Sequence, residues 1–179
     1  MENRSKKPKI KSDLKIFQWN ARSIKNKITD LKSISEKYDI ILISETWLNQ
    51  EKNVTLPNFN LVRKDRQLKS QHADDRGGVC IFIKKNLTFS EKSEIFNFTK
   101  EIEIVAITIK MESNEDILIC SIYRPPNQFT STQVWKKLLD LLSMFKYVVC
   151  GGDFNTHHTQ WGSYKICPSG QNLSEALHS

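Results

Sequence analysis

Polar side chains that could do chemistry follow directly after apolar, strand-like segments of this sequence. They are Asn20, Glu45, Tyr123, Asp153 and Asn155. In α/β proteins, ligand-binding and catalytic residues favour strand ends, because the strands are rigid and the loops that follow can vary. Two carboxylates, two carboxamides and a phenol suit a hard cation such as Mg²⁺, which takes further oxygens from water and substrate phosphate. The set therefore predicts phosphodiester hydrolysis, in which a metal offsets phosphate charge and a carboxylate orients or deprotonates water.

Two of these residues also have a plainer interpretation. Glu45 could be a solvated strand end, and Asp153 could close an Asx turn. The pair Gly151-Gly152 favours a site at Asp153, since glycine lets the backbone turn tightly and approach a ligand. The adjacent pair His157-His158 is not expected to share a metal ion, because neighbouring side chains in an extended segment point to opposite sides. A structural or substrate-facing role beside Trp161 is favoured over zinc binding.

The elements that must position these residues alternate between strands and helices. The opening strand, helix and strand (14–19, 23–38 and 39–44) predict a parallel pair with a crossover helix. The middle of the chain predicts antiparallel strands, with a hairpin turn at 113–116. These strands are 60–64, 78–84, 102–111 and 116–123, followed by a helix at 130–145, a strand at 146–150 ended by the glycine pair, and a short helix at 173–177. The pattern is that of an α/β protein with mixed sheets.

Length and charge limit the class of protein. A chain of 179 residues predicts one domain, and no apolar run approaches the roughly 18 residues of a membrane span. The formal net charge is +7, which favours polyanionic partners. Residues 1–12 hold five basic residues and one acidic residue, and so contribute +4. This segment is expected to be a disordered tail, a nucleic-acid arm or a nuclear import signal, and residues 13–179 the folded domain.

The four cysteines form no C-x-x-C pair, and they predict neither a disulfide framework nor a zinc site. Three of them, Cys80, Cys120 and Cys150, lie in apolar strand-like segments and are expected to act as small buried hydrophobes. A reducing, intracellular compartment is therefore expected.

Five short motifs occur in an order that resembles the exonuclease–endonuclease–phosphatase superfamily over residues 14–165. They are QWNAR (18–22), SETWL (44–48), RGGV (76–79), SIYRPP (121–126) and GDFN (152–155). The run DFNTHHTQWGS (153–163), together with the Tyr-Arg-Pro-Pro segment, resembles more particularly the endonuclease domain of jockey-like non-LTR retrotransposons.

This resemblance implies a four-layer α/β/β/α sandwich with two mixed sheets. It also implies a nuclear endonuclease that uses Mg²⁺, or alternatively Mn²⁺, and nicks one strand of chromosomal DNA. The 3′ hydroxyl at the nick would prime reverse transcription by a reverse transcriptase domain of the full-length element. The resemblance therefore implies DNA as the partner, and no membrane partner is expected.

The resemblance also implies roles for individual residues. Glu45 would bind the metal, and Asn20 would hydrogen-bond near the metal or the phosphate. Tyr123 would contact the scissile phosphate, Asp153 would position or activate water, and Asn155 would help to hold that group. The residues expected to contact DNA are Arg22, Arg124 and His158.

The sequence departs from the superfamily pattern at two places. Pro126 stands where many relatives have asparagine, and no Ser-Asp-His motif precedes Ser179. The resemblance then implies a sandwich that is incomplete at its C-terminus and weak or absent activity of this chain alone, since losing a positioned acid or base costs about 10²- to 10⁴-fold. Two other interpretations stay open: an inactive retrotransposon remnant that binds nucleic acid in a salt-sensitive way, and a phosphoinositide or sphingomyelin phosphodiesterase.

Overall fold

The computed structural model describes residues 13–66, 76–111 and 114–179. In this part of the chain, eight strands and three α-helices follow one another. The strands are β1 (Ile16–Asn20), β2 (Ile40–Ser44), β3 (Phe59–Lys64), β4 (Val79–Lys84), β5 (Phe89–Glu91), β6 (Glu103–Lys110), β7 (Asp116–Tyr123) and β8 (Tyr147–Asp153). The helices are α1 (Ile28–Ser35), α2 (Thr132–Ser143) and α3 (Pro168–Leu177), and 3-10 turns cover Ile24–Lys27, Ser93–Phe96 and Thr159–Trp161.

The strands form two mixed sheets of four. Their orders are β1-β2-β4-β3 and β5-β6-β7-β8. β1 and β2 are parallel and β7 and β8 are parallel, whereas the other neighbours are antiparallel. The parallel opening pair and the antiparallel middle section are thus confirmed. In each sheet the parallel pair lies at one edge, and the two pairs face each other, because β1 contacts β8.

The core between the sheets comes from period-2 alternation along the strands. Ile40 and Leu42 of β2 point inward, whereas Ile41 and Ile43 point to the outer face. Similar alternation in β4, β6 and β7 supplies Val79, Ile81, Ile83, Val105, Ile107, Ile109 and Ile119 to the inner layer. β2 is buried along its whole length, as its continuous apolar sequence predicts.

Helices cover both outer faces. Leu31 of α1 packs on the first sheet, and Trp135 and Leu138 of α2 pack on the second together with Ala176 of α3. The result is the four-layer α/β/β/α sandwich that the resemblance implied. No described helix combines the length and apolar content needed to cross a bilayer.

Several element boundaries differ from the sequence-based prediction. The helix predicted at 23–38 is a 3-10 turn followed by the shorter α1. The Ser23 and Ile24 N–H groups bond to the carbonyls of Glu45 and Thr46, which ties the start of this segment to the loop after β2. α3 begins five residues earlier than predicted, with Cys167 as its N-cap residue. The short strand β5 was missed. The tail 1–12 and most of the charged loop 67–76 lie outside the described residues, as does part of the predicted turn at 113–116.

The prediction that Gly151-Gly152 ends the preceding strand is wrong, because β8 continues through both glycines to Asp153. A Cβ on Gly151 would lie 2.7 Å from the Leu42 Cδ1 atom of the opposite sheet. A Cβ on Gly152 would lie 1.8 Å from the Ile122 carbonyl oxygen of the neighbouring strand. The glycines therefore permit close packing rather than a turn, and they let β8 carry Asp153 into the gap between the sheets.

We predict that Gly152→Ala destabilises the fold by about 3 kcal/mol, since the new methyl group must displace backbone of β7. Gly162→Ala is the matched control: Gly162 also has a positive φ, of 84°, but a Cβ there would meet no described atom within 4 Å. Its cost should be about 1 kcal/mol, from left-handed backbone strain alone. Urea unfolding measures both, and equal losses would contradict the steric argument.

Candidate active site

The four strand ends that carry polar residues meet at one end of the sandwich. Asn20 is the last residue of β1, Tyr123 of β7 and Asp153 of β8, and Glu45 directly follows β2. Tyr123 lies opposite Asp153 in the β7–β8 register. Between the sheets, the buried Ser121 hydroxyl donates to the Ile43 carbonyl at 3.0 Å. The parallel edges and this inter-sheet bond bring residues from distant parts of the chain together.

The Asn20 side-chain amide joins the two carboxylates of the site. Its Nδ2 group donates to Glu45 Oε1 at 2.7 Å and to Asp153 Oδ2 at 2.7 Å. Asn20 and Asp153 are 133 residues apart in sequence. The Asn20 Oδ1 atom is buried and has no hydrogen-bond partner among the described residues. A buried acceptor without a donor, beside two carboxylates, marks a place that a cation or a bound water would satisfy.

The loop after β8 fixes the second Asp153 oxygen. The Asn155 N–H donates to Asp153 Oδ1 at 3.1 Å, and the Asn155 Nδ2 donates to the Arg124 carbonyl at 2.8 Å. Asn155 has a φ of 48°, in the left-handed region that asparagine tolerates better than most residues. Asp153 therefore both closes an Asx turn and faces Asn20, so the two interpretations of this residue are compatible.

Tyr123 brings a neutral phenol to the same site. Its side chain is buried, and burial raises its pKa to about 12, with the negative charges of Glu45 and Glu103 acting in the same direction. A phenol with this pKa stays protonated at neutral pH and can donate a hydrogen bond to an anionic oxygen.

The backbone of the RGGV motif supports the loop that carries Glu45. Glu45 and Trp47 both have a φ of 54°. The Thr46 N–H donates to the Gly78 carbonyl at 3.1 Å, and the Trp47 N–H donates to the Gly77 carbonyl at 2.8 Å. A Cβ on Gly78 would lie 2.4 Å from the Thr46 hydroxyl oxygen. The glycines thus let two loops pack together and hold a strained turn that points Glu45 toward Asn20.

Glu103 is a site residue that the sequence reasoning missed. It lies opposite Tyr123 in the β6–β7 register, and its Oε2 accepts from the Gly78 N–H at 2.6 Å. Burial raises its pKa, while the Gly78 N–H and the nearby Arg66 guanidinium, 3.8 Å away, act against that rise. The sequence did offer one signal for Glu103, because it is the single acidic residue in the mostly apolar segment 102–109.

The three residues expected to contact DNA lie in different surroundings. Arg22 is exposed, next to Asn20, and has a φ of 44°. Arg124 is buried, and its guanidinium donates to the Pro125 and Pro126 carbonyls of its own chain. His158 is 7% exposed, and its Nδ1 accepts from the Gln160 N–H at 3.1 Å. His157, in contrast, is exposed, so the two histidines do point to opposite sides as predicted.

The donor set fits a hard divalent cation. Within the described ranges, no three His, Cys, Asp or Glu side chains are grouped to hold a metal ion. Glu45, Asp153 and the Asn20 Oδ1 atom offer oxygen atoms only. Mg²⁺ commonly takes one or two carboxylates and completes its shell with water and substrate phosphate. An all-oxygen set of this size suits Mg²⁺ and does not suit zinc, which prefers nitrogen and sulfur.

Comparison with known proteins places the chain in one family. A model of the Endonuclease/Exonuclease/phosphatase family matches residues 17–176. The chain therefore belongs to the Endonuclease/Exonuclease/phosphatase family, as its two mixed sheets and its paired carboxylates suggest.

Two Drosophila melanogaster proteins are among its relatives in sequence. The chain is 25% identical over 166 residues to the RNA-directed DNA polymerase from mobile element jockey. It is 27% identical over 166 residues to the probable RNA-directed DNA polymerase from transposon BS. Each match covers 92% of this chain, but the chain spans only 17% and 18% of the length of these relatives.

Solved structures share the fold. The endonuclease domain of TRAS1, a telomere-specific non-LTR retrotransposon, matches with a TM-score of 0.65 and 18% identity, over 92% of this chain and 71% of that domain. The Xenopus laevis APE2 catalytic domain matches with a TM-score of 0.60 and 16% identity, over 90% of this chain and 67% of that domain.

We predict that Tyr123 gives a late step in an alkaline titration. Because its pKa is raised from 10.0 to about 12, its neutral form contributes stability that is fully present below pH 10 and is lost between pH 10 and about 12. The phenolate absorbance of Tyr123→Phe, subtracted from that of the wild type, should titrate near pH 12. Tyr164, which is 92% exposed, provides the control variant Tyr164→Phe. A difference curve for Tyr123 centred at pH 10 would contradict the burial argument.

Proposed function

We propose that this chain is the DNA-cutting part of a longer retrotransposon protein, and that it hydrolyses one phosphodiester bond of a DNA strand with the help of a divalent metal ion. The observation that carries the proposal is the Asn20 amide, which donates at 2.7 Å to both Glu45 and Asp153. One or two carboxylates, together with substrate phosphate and water, are the ligands that Mg²⁺ commonly takes.

Glu45 would hold the metal ion, and the buried Asn20 Oδ1 atom, which has no hydrogen-bond partner among the described residues, is a further oxygen on the side chain that donates to Glu45. Nucleases of this family generally use divalent metals. We propose Mg²⁺, with Mn²⁺ as an alternative. When bound, the ion would offset negative charge on the scissile phosphate.

The remaining side chains act on water and on the phosphate. Asp153 has both oxygens fixed by donors, so its carboxylate is oriented before substrate arrives and can align or deprotonate a water molecule. Tyr123 keeps its proton and donates to a phosphate oxygen as negative charge develops there. Asn155 keeps the Asp153 loop in place through its bonds to Asp153 and Arg124.

DNA as the substrate and retrotransposition as the setting are supported by the relatives. Two of them are named as RNA-directed DNA polymerases of mobile elements, and one structural neighbour is a retrotransposon endonuclease domain. We propose that the nick leaves a 3′ hydroxyl that primes reverse transcription by another part of the longer protein. The formal charge of +7 and the basic segment 1–12 support DNA as a partner and the nucleus as the location.

We predict that the chain by itself nicks supercoiled plasmid only weakly in Mg²⁺, and that Asp153→Ala lowers this rate by about 10²- to 10⁴-fold, since it removes the group that positions water. Asp116→Ala is the control, because Asp116 is an exposed aspartate at the opposite end of β7. Gel separation of nicked and supercoiled plasmid measures the rate, and extension of the nicked product by a DNA polymerase tests for the 3′ hydroxyl.

Two outcomes would contradict this proposal. Equal nicking by the wild type and Asp153→Ala would remove the assignment of Asp153. No nicking by the wild type, together with DNA binding that falls steeply with salt, would favour the alternative of a non-enzymatic nucleic-acid-binding protein.

We predict that Mg²⁺ stabilises the wild type against heat but does not stabilise Glu45→Gln. A ligand that binds only the native state adds about 2.7 kcal/mol when its free concentration is a hundred times its Kd. Glu51→Gln, at an exposed position six residues along the chain, should keep the metal-dependent rise in Tm. The Tm of each protein is measured in EDTA and over a series of Mg²⁺ concentrations. If the Tm of Glu45→Gln rises with Mg²⁺ as much as that of the wild type, the assignment of Glu45 as a metal ligand is wrong.

A further inference from the structure

Glu103 is a buried carboxylate to which the proposed function assigns no role. It is the first residue of β6 and is only 8% exposed. Because side chains on one face of a strand recur every second residue, Glu103 shares the inner face of β6 with Val105 and Ile107. Its side chain therefore enters the gap between the two sheets. Burying a charged group there costs free energy, so the carboxylate needs a partner that offsets the cost.

The main partner of Glu103 is the backbone of the opposite sheet. The N–H of Gly78, which directly precedes β4, donates to Glu103 Oε2 at 2.6 Å. The ion pair with Arg66 is looser, because the Arg66 Nε lies 3.8 Å from Glu103 Oε1 and the Arg66 side chain is 32% exposed. Hydrogen bonds to an ionised acceptor are shorter and stronger than those between neutral groups. The contact with Gly78 is therefore the one that fixes the Glu103 side chain.

The peptide group between Gly77 and Gly78 connects Glu103 to the turn that carries Glu45. Its N–H donates to Glu103, and its carbonyl accepts from the Trp47 N–H at 2.8 Å. A peptide group is planar and rigid, so a contact that fixes the direction of its N–H also fixes the direction of its carbonyl. The Gly78 carbonyl adds a second bond to the same turn, from the Thr46 N–H at 3.1 Å.

The two glycines leave this peptide group without conformational restraint of its own. Gly77 has a φ of 139° and Gly78 a φ of 81°, and glycine adopts many other backbone conformations at little cost. The peptide plane could therefore rotate and turn its carbonyl away from Trp47. The Glu103 carboxylate opposes that rotation, because a rotated carbonyl oxygen would face a negatively charged oxygen instead of presenting an N–H to it.

We propose that Glu103 is a positioning residue for Glu45: it fixes the peptide group between Gly77 and Gly78, and this peptide group holds the turn 45–47 with Glu45 directed toward Asn20. The proposal rests on the proposed function for the use of Glu45 as a metal ligand. It adds a support from the second sheet to a ligand that the first sheet carries. Hydrogen-bonded groups that orient metal ligands typically change metal affinity or activity by about 10- to 100-fold when they are removed.

Hydrogen exchange, measured by NMR in EDTA, tests the positioning without metal or DNA. In Glu103→Met, which keeps the side-chain length but loses the carboxylate acceptor, the Trp47 N–H should exchange about 5- to 100-fold faster relative to the amides of β2. Glu103→Gln keeps an acceptor oxygen at the same reach and should stay within about 3-fold of the wild type. Thr108→Val alters another buried polar residue of β6, paired with Leu118, and should not raise this ratio.

Binding of Mn²⁺ alone tests the consequence for the metal site, with the free ion measured by electron paramagnetic resonance. The Kd should rise about 10- to 100-fold in Glu103→Met and should stay close to the wild-type value in Glu103→Gln and Thr108→Val. Glu103→Asp keeps the charge but draws the oxygen atoms back by about 1.5 Å, so it should behave like Glu103→Met. This variant decides the question if Glu103→Met does not fold, as judged by circular dichroism and urea unfolding.

Three outcomes separate this proposal from the proposed function. An unchanged exchange ratio in folded Glu103→Met or Glu103→Asp, or a loss in Glu103→Gln as large as that in Glu103→Met, would overturn the positioning role. Nicking that depends on Asp153, with equal Mn²⁺ affinity in all Glu103 variants, would keep the proposed function and also overturn that role. A wild type that binds no Mn²⁺ would contradict the metal site, and the exchange ratio would then decide by itself whether Glu103 holds the turn.

Discussion

The Asn20 amide is the interaction on which the candidate site depends. Two carboxylates, each from a different sheet, would repel each other at this spacing, and one amide group donates to both of them. That geometry exists only if the two parallel edges lie face to face at a close distance. Gly151 allows it, because any Cβ there would press on Leu42 of the opposite sheet. The packing of the inner core and the chemistry of the site are thus set by the same inter-sheet spacing.

The backbone around the site holds conformations that most side chains avoid. Arg22, Ser23, Glu45, Trp47 and Asn155 all have positive φ values, between 44° and 86°. Such residues cost free energy and persist where the surrounding structure fixes them. Here backbone hydrogen bonds between neighbouring loops hold these conformations, such as those from the Ser23 N–H to Glu45 and from the Trp47 N–H to Gly77. The sandwich supplies the stability, and the loops at one end hold the strained but ordered arrangement that a preoriented site requires.

Some of the motif residues around the site are buried and support the fold, whereas others are exposed to solvent. Arg124 and His158 are buried and bonded to their own chain, although both belong to motifs that suggested contact with DNA. Arg22 and Trp161 remain exposed, on the segments that follow β1 and β8. Motif membership could not distinguish these cases, because a motif records which residue types occur together and not which of them face solvent.

The sequence by itself determined most of the elements, the α/β class and the list of polar strand ends. Hydrophobic periodicity and residue type are local properties, so they can be recognised within each segment of the sequence. It predicted Asn20, Glu45, Tyr123, Asp153 and Asn155 as one site, but it did not predict β5, Glu103 or the course of β8 through its glycines. Only the tertiary structure decided that one amide holds both carboxylates, that Gly151-Gly152 serves packing rather than a turn, and that Glu103 accepts from Gly78 across the two sheets. The physical reason is that these features depend on distances between residues far apart in sequence, and the close packing of two sheets sets those distances.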